Sequence, residues 1–147
     1  MVDAFNQNGK KLILCTNTDN LLYHELKAKS KSNISWIFAP TKEKRNKLYA
    51  QAKAFLFPPE EDFGLVPVEA MASGTPVIAY GVGGATETVV DEKTGFFFTP
   101  QTPDALNQII EKFENSSLNQ HEIIARGREF STSNFRKKIL ESLQKYA

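Results

Sequence analysis

The sequence predicts an α/β fold, a doubly wound parallel sheet covered by helices. Two observations carry that expectation. Short apolar runs alternate with segments of helical spacing along the 147 residues, the pattern of repeated strand–helix–strand units. One stretch, FLFPPEEDFGLVPVEAMASGTPVIA from Phe55 to Ala79, shows a complete unit. Phe55-Leu56-Phe57 is too short for a helix and ends at Pro58-Pro59, so it reads as a buried strand. A loop with Glu61 and Gly64 follows, and Pro67 suits the first turn of a helix. Val68, Ala70, Met71 and Ala72 make that helix short and apolar, and Gly74 stops it. Thr75-Pro76 then opens a second strand, Val77 to Tyr80.

The other elements follow in chain order. Residues 1–9 are polar and poor in pattern, and read as an irregular lead-in. Lys11 to Cys15 is the first strand, and Asn17-Thr18-Asp19-Asn20 offers cap residues to a helix from Leu21 to Lys29. Ile34 to Phe38 is a second strand, closed by Ala39-Pro40. Thr41 is placed to cap a polar helix from Lys42 to Lys53, whose inward side is Leu48, Tyr49 and Ala52. After Tyr80, Gly81-Val82-Gly83-Gly84 lets backbone approach another segment or a ligand closely. Ala85 to Val90 is a short helix with Glu87 near its start, and Phe96-Phe97-Phe98 a compact strand after the turn at Asp91 to Gly95. From Asp104 to Asn115, Leu106, Ile109, Ile110 and Phe113 recur at helical spacing. Helices from Leu118 to Phe130 and from Ser133 to Tyr146 complete the chain, which reads as one domain over residues 1–147.

Composition narrows the partners. The hydrophobic fraction of 41% and the charged fraction of 24% are ordinary for a globular chain. A formal net charge of +1 gives no reason to expect nucleic acid or an anionic membrane surface. The run Lys42-Glu43-Lys44-Arg45-Asn46-Lys47 reads as a solvated helix face. Cys15, the only cysteine, lies in an apolar run and reads as a buried structural thiol. His24 and His121 read as surface residues, and no metal site is indicated. No apolar run approaches the roughly 20 residues of a membrane span, and the N-terminus lacks a signal-peptide core. A cytoplasmic location is expected, with any attachment to the inner face of the membrane indirect, through a region or partner outside this chain.

The chemistry gathers around Glu61 and Glu69. A parallel sheet binds ligands at the carboxyl ends of its strands, where helix N-termini offer unpaired N–H groups to an anion. Glu69 sits in a mostly apolar helix, and a buried carboxylate needs partners. It either caps a neighbouring backbone, pairs with a lysine, or accepts two hydrogen bonds from a vicinal diol such as a ribose.

Glu61 to Gly64, then Glu69 to Ala72, then Gly74-Thr75-Pro76-Val77-Ile78-Ala79 resemble the E-x7-E signature of retaining glycosyltransferases of family 4. Gly83-Gly84-x-x-Glu87 and Thr94-Gly95-Phe96-Phe97 continue the match in order and spacing. The resemblance implies the Rossmann-like C-terminal half of a GT-B enzyme, the half that binds the nucleotide-sugar donor. Within the family, the wording of residues 58–89 with FSTSNFRKKI most resembles bacterial mannosyltransferases of lipopolysaccharide O-antigen assembly. The implied donor is GDP-mannose, with a UDP-sugar as the alternative, and no cofactor is implied. By the same resemblance Glu69 binds the ribose hydroxyls and Glu61 orients the donor sugar as the catalytic glutamate. The backbone of Phe63, Gly64, Leu65 and Val66 cradles the sugar and distal phosphate, and Ala39-Pro40 meets the base. Arg45 is a candidate for the base, or else an exposed helix-surface arginine. Gly83 and Gly84 admit the sugar or form a ligand-free turn, and Glu87 touches substrate or caps its own helix.

The sequence also departs from the family pattern. The Arg and Lys expected just after the first strand of such a domain, to neutralise the pyrophosphate, have no counterpart; Lys10 and Lys11 do not match. The usual glycine-rich loop after the next strand is Cys15-Thr16-Asn17-Thr18-Asp19. The N-terminal acceptor domain has no counterpart either, so a fragment or one half of a split enzyme is expected, with little catalysis alone. The competing expectation is a non-catalytic nucleotide-sugar-binding or assembly module.

Overall fold

The computed structural model describes residues 1–144. In chain order it contains α1 (Val2–Asn8), β1 (Leu12–Thr16), α2 (Leu21–Lys29), β2 (Ile34–Phe38), α3 (Lys42–Gln51), β3 (Phe55–Phe57), α4 (Leu65–Ala72) and β4 (Val77–Tyr80). Then come α5 (Ala85–Thr88), β5 (Gly95–Phe98), α6 (Pro103–Glu114), α7 (Gln120–Glu129) and α8 (Thr132–Gln144). The expected end of the last helix, at Tyr146, lies outside the described residues.

All strand pairing is parallel. β1 pairs with β2 from Leu12↔Ile34 to Thr16↔Phe38. β4 lies between β3 and β5, with Phe55↔Val77 and Val77↔Gly95 in register. The described strands therefore form two parallel sheets where the sequence predicts one. A shared core joins them, for Leu12 and Ile34 of the first sheet cluster with Ile78 and Phe98 of the second. Side chains alternate across β4: Ile78 enters this cluster, while Val77 and Ala79 enter a second one with Met71, Val89 and Ile123. Helices thus cover both faces, as a doubly wound arrangement requires.

Several helices start where a side chain caps them. Asn20 accepts from the Tyr23 amide, Thr41 from Lys44 and Thr102 from Ala105. α7 crosses α4 closely: a Cβ on Gly127 would lie 2.4 Å from the Ala72 nitrogen, so only glycine permits this approach.

Four expectations are corrected. Residues 1–9 are ordered, with Val2, Ala4 and Phe5 of α1 buried in the core beside Leu106 and Ile110 of α6. A seven-residue helix has too few turns to display a period, and tertiary packing supplies its stability. Ala52 ends α3 as its C-cap and is exposed, leaving Tyr49 as the buried residue of that helix. Cys15 is exposed, because successive residues of β1 point to opposite sides and only Leu12 of that strand is buried. Glu69 is exposed as well, although Val68, Ala70 and Met71 around it are buried, because it takes the outer side of α4.

Candidate functional site

The candidate residues lie at the carboxyl ends of the strands, where a parallel sheet leaves its loops free to face a ligand. β3 runs into Pro58-Pro59, whose first carbonyl accepts a 2.6 Å hydrogen bond from Gln101. The chain then turns through Glu60–Phe63 to Gly64, which precedes α4 at φ 74° and has no side chain to cap the helix. Among the described residues, the amides of Leu65 and Val66, first in α4, have no partner, and Pro67 has no N–H to satisfy. They open onto a recess of about 650 Å³ lined by Glu60, Glu61, Asp62, Phe63, Gly64, Leu65 and Val66.

A second recess of about 600 Å³ adjoins it through Glu60, Glu61 and Asp62, and is closed on its far side by Gly83, Gly84, Thr86 and Glu87. The glycines are explained by their neighbours. A Cβ on Gly84 would lie 2.3 Å from the Asp62 carbonyl oxygen and 2.4 Å from the Phe63 Cα. The space at Gly84 is therefore filled by the chain's own backbone, and the pair builds the wall between the loops. Thr86 Oγ1 donates a 2.7 Å bond to the Gly83 carbonyl and tightens the same turn. The carboxylates of Glu60, Glu61 and Asp62 line both recesses and Glu87 lines the second, and among the described residues no lysine or arginine lines either one.

Glu69 lines neither recess. Its carboxylate acts on Tyr49: burial pushes the Tyr49 phenol above its ordinary range, Glu69 pushes it further, and Arg45 pulls it back. Arg45 is half-buried and also acts on Cys15, whose thiol is raised chiefly by the chain around its sulfur. Glu69 and Arg45 are thus near enough to Tyr49 to act on its phenol electrostatically. Tyr49, read from the sequence as part of the inward side of α3, is indeed buried, in the core cluster with Val68 and Met71 of α4.

Ala39 and Pro40 also line neither recess. The Ala39 amide donates a 2.8 Å bond to the Thr16 carbonyl, tying the ends of β1 and β2, and Ala39 has φ 44°. A non-glycine residue in the left-handed region is held there by its surroundings, a strain found at functional loops. His24 is exposed and contacts Asp19 at 2.6 Å, and His121 is exposed.

Residues 7–130 match the model of the family described as glycosyl transferases group 1. The chain is 41% identical over 83 residues to the alpha-1,3/1,6-mannosyltransferase ALG2 of Rhizomucor pusillus, covering 52% of this chain and 18% of that protein. Its fold superposes on sucrose-phosphate synthase of Thermosynechococcus elongatus with TM-score 0.75 and 28% identity, over 99% of this chain and 40% of that one. It superposes on Anabaena Alr3699/HepE, solved in complex with UDP and glucose, with TM-score 0.77 and 25% identity, over 97% of this chain and 43% of that one. The chain therefore spans less than half the length of these proteins, and its α/β architecture is the Rossmann-like one of GT-B glycosyltransferases. The match over residues 7–130 places this chain in the glycosyl transferases group 1 family.

Proposed function

We propose that this chain is the donor-binding part of a retaining glycosyltransferase, the C-terminal half of a GT-B enzyme forming one domain. The carrying observation is the N-terminus of α4, where the free Leu65 and Val66 amides face a recess that also presents Glu61. Amides aimed at a developing negative charge stabilise a departing phosphate without reorganising during the reaction. In this reading the diphosphate of a nucleotide-sugar lies against those amides. Glu61 orients the sugar at the recess, Glu69 accepts the ribose hydroxyls on the outer side of α4, and Ala39-Pro40 meets the base. An acceptor hydroxyl attacks the anomeric carbon as the nucleoside diphosphate leaves, with configuration retained. The acceptor side is supplied by a segment or chain other than residues 1–147. No metal is required where helix amides and cations from that other part take the charge.

The favoured donor is GDP-mannose, supported by likeness to mannosyltransferases; a UDP-sugar is the alternative, supported by the UDP complex of the Anabaena protein. The proposed product is a glycan or lipid-linked saccharide of polysaccharide or lipopolysaccharide synthesis, made on the cytoplasmic side of a membrane. Calorimetric titration of GDP, UDP, ADP and GDP-mannose, beside Glu69→Ala, tests the reading. Saturable binding of one nucleotide, lost in the variant, supports it; no binding to the unaltered chain removes it.

A second reading is a nucleotide-sugar-binding module without catalysis. It is favoured by the lining of the α4 recess, in which three carboxylates and, among the described residues, no lysine or arginine surround the place a pyrophosphate would occupy. Hydrolysis or transfer of GDP-mannose by the chain above the rate in buffer would exclude it.

A further inference from the structure

Arg126 lines neither recess, yet its guanidinium reaches structures that support both. It stands on α7 with its side chain 25% exposed. Its Nε donates a 2.9 Å bond to the Thr88 carbonyl, and its Nη2 a 2.5 Å bond to the Glu87 carbonyl. Its Nη1 pairs with Glu129 at 2.5 Å, which orients the group. The two carbonyls are the last of α5, a four-residue helix whose C-terminal acceptors otherwise lack intrahelical donors. A cation there also complements the helix dipole.

The Cζ of the same guanidinium lies over the Phe130 ring, 4.8 Å from its centroid. Phe130 in turn meets Phe63 edge to face, with centroids 5.8 Å apart and rings inclined at 71°. Phe63 belongs to the wall of the α4 recess, and Glu87 to the wall of the adjoining one. We infer that Arg126 is a positioning residue that holds the two walls of the cleft in one arrangement, the Glu87 wall directly and the Phe63 wall through Phe130.

The chemistry requires arginine. A guanidinium addresses two adjacent carbonyls and a carboxylate at once while lying over a ring, whereas a lysine ammonium is a point donor and reaches one of these. The clamp concerns the free chain, and its consequence for ligands rests on the donor-site reading above. With the sugar held between the walls and the ribose and base outside both recesses, loosening the clamp weakens the sugar-bearing ligand more than the nucleotide alone.

Amide hydrogen exchange on the free protein, with Arg126→Ala, Arg126→Lys and Phe130→Leu, tests the clamp. In both Arg126 variants, exchange over residues 84–88 and 61–64 should rise by about tenfold while β3, β4 and β5 keep their protection. Phe130→Leu should speed only residues 61–64. Unchanged exchange, full rescue by lysine, or equal acceleration through the strands would overturn the proposal, the last by reducing Arg126 to general fold stability. Titration with GDP and GDP-mannose adds a second readout. Arg126→Ala should weaken GDP-mannose by about tenfold and GDP by less than about twofold; equal weakening would overturn the selective role. Should the unaltered chain bind neither ligand, the donor-site reading falls, while hydrogen exchange still decides the clamp.

Discussion

The amide of Gly84 donates a 2.7 Å hydrogen bond to the carbonyl of Glu61, joining the loop after β4 to the loop after β3. This bond makes a single cleft from segments more than twenty residues apart in sequence. Gly84→Ala should break it, since the added methyl would lie 2.3 Å from the Asp62 oxygen. The loops must then part, and urea unfolding should show a loss of about 1–3 kcal/mol. Binding of any ligand at the recess should weaken with it.

Glu69→Ala separates structure from binding. The residue is exposed, and among the described residues its carboxylate has no hydrogen-bond partner. Its removal should change stability by less than about 0.5 kcal/mol. Nucleotide affinity, followed by calorimetry, should fall by about tenfold or more, the effect of losing charged hydrogen bonds to a diol.

Gly127→Ala should act in the opposite way. It overpacks the contact between α7 and Ala72 of α4, and thermal or urea unfolding should register about 1–3 kcal/mol. Because α7 also carries Arg126, Gly127→Ala should in addition raise hydrogen exchange over residues 84–88.

Cys15 provides a pH test. The chain around its sulfur raises the thiol above its usual range, against smaller opposing effects of Arg45 and Lys44. The folded protein therefore holds this proton more tightly than the unfolded chain. The associated stability is full below the unfolded thiol's pKa and is lost as pH rises through the folded value. Iodoacetamide should alkylate the folded protein more slowly than the urea-unfolded chain at mildly alkaline pH, and the difference should shrink at higher pH. Equal rates would contradict the shift.

Metal dependence is tested by removal. Under the donor-site proposal, in which amides at the head of α4 receive the phosphate, EDTA should leave nucleotide affinity unchanged and added magnesium should not raise it. A loss of binding on chelation would show that the carboxylates of Glu60, Glu61 and Asp62 act through a cation.

Much of the fold was legible because the relevant signals are local. Pro58-Pro59 ends β3 and Asn20 and Thr41 cap α2 and α3, so steric limits and short-range hydrogen bonds alone mark those boundaries. Tertiary packing overrode weaker signals. α1 carries too few turns to be seen in sequence, and folds because Phe5 finds Leu106 and Ile110. Glu69 was read as buried from its apolar neighbours, but a one-position change on a helix turns a side chain by about 100°.

The family signature and the order of strands and helices are determined by the sequence alone, since they depend on which residues follow one another. Only the tertiary structure decided that Glu61 shares a cleft with Gly84 and Glu87 while Glu69 lies exposed on α4 outside it. It alone brought Arg126 to the carbonyls of Glu87 and Thr88, 39 and 38 positions away. Such contacts are set by how α4, α5 and α7 pack around β4, and helix packing depends on shapes that no local stretch of sequence contains.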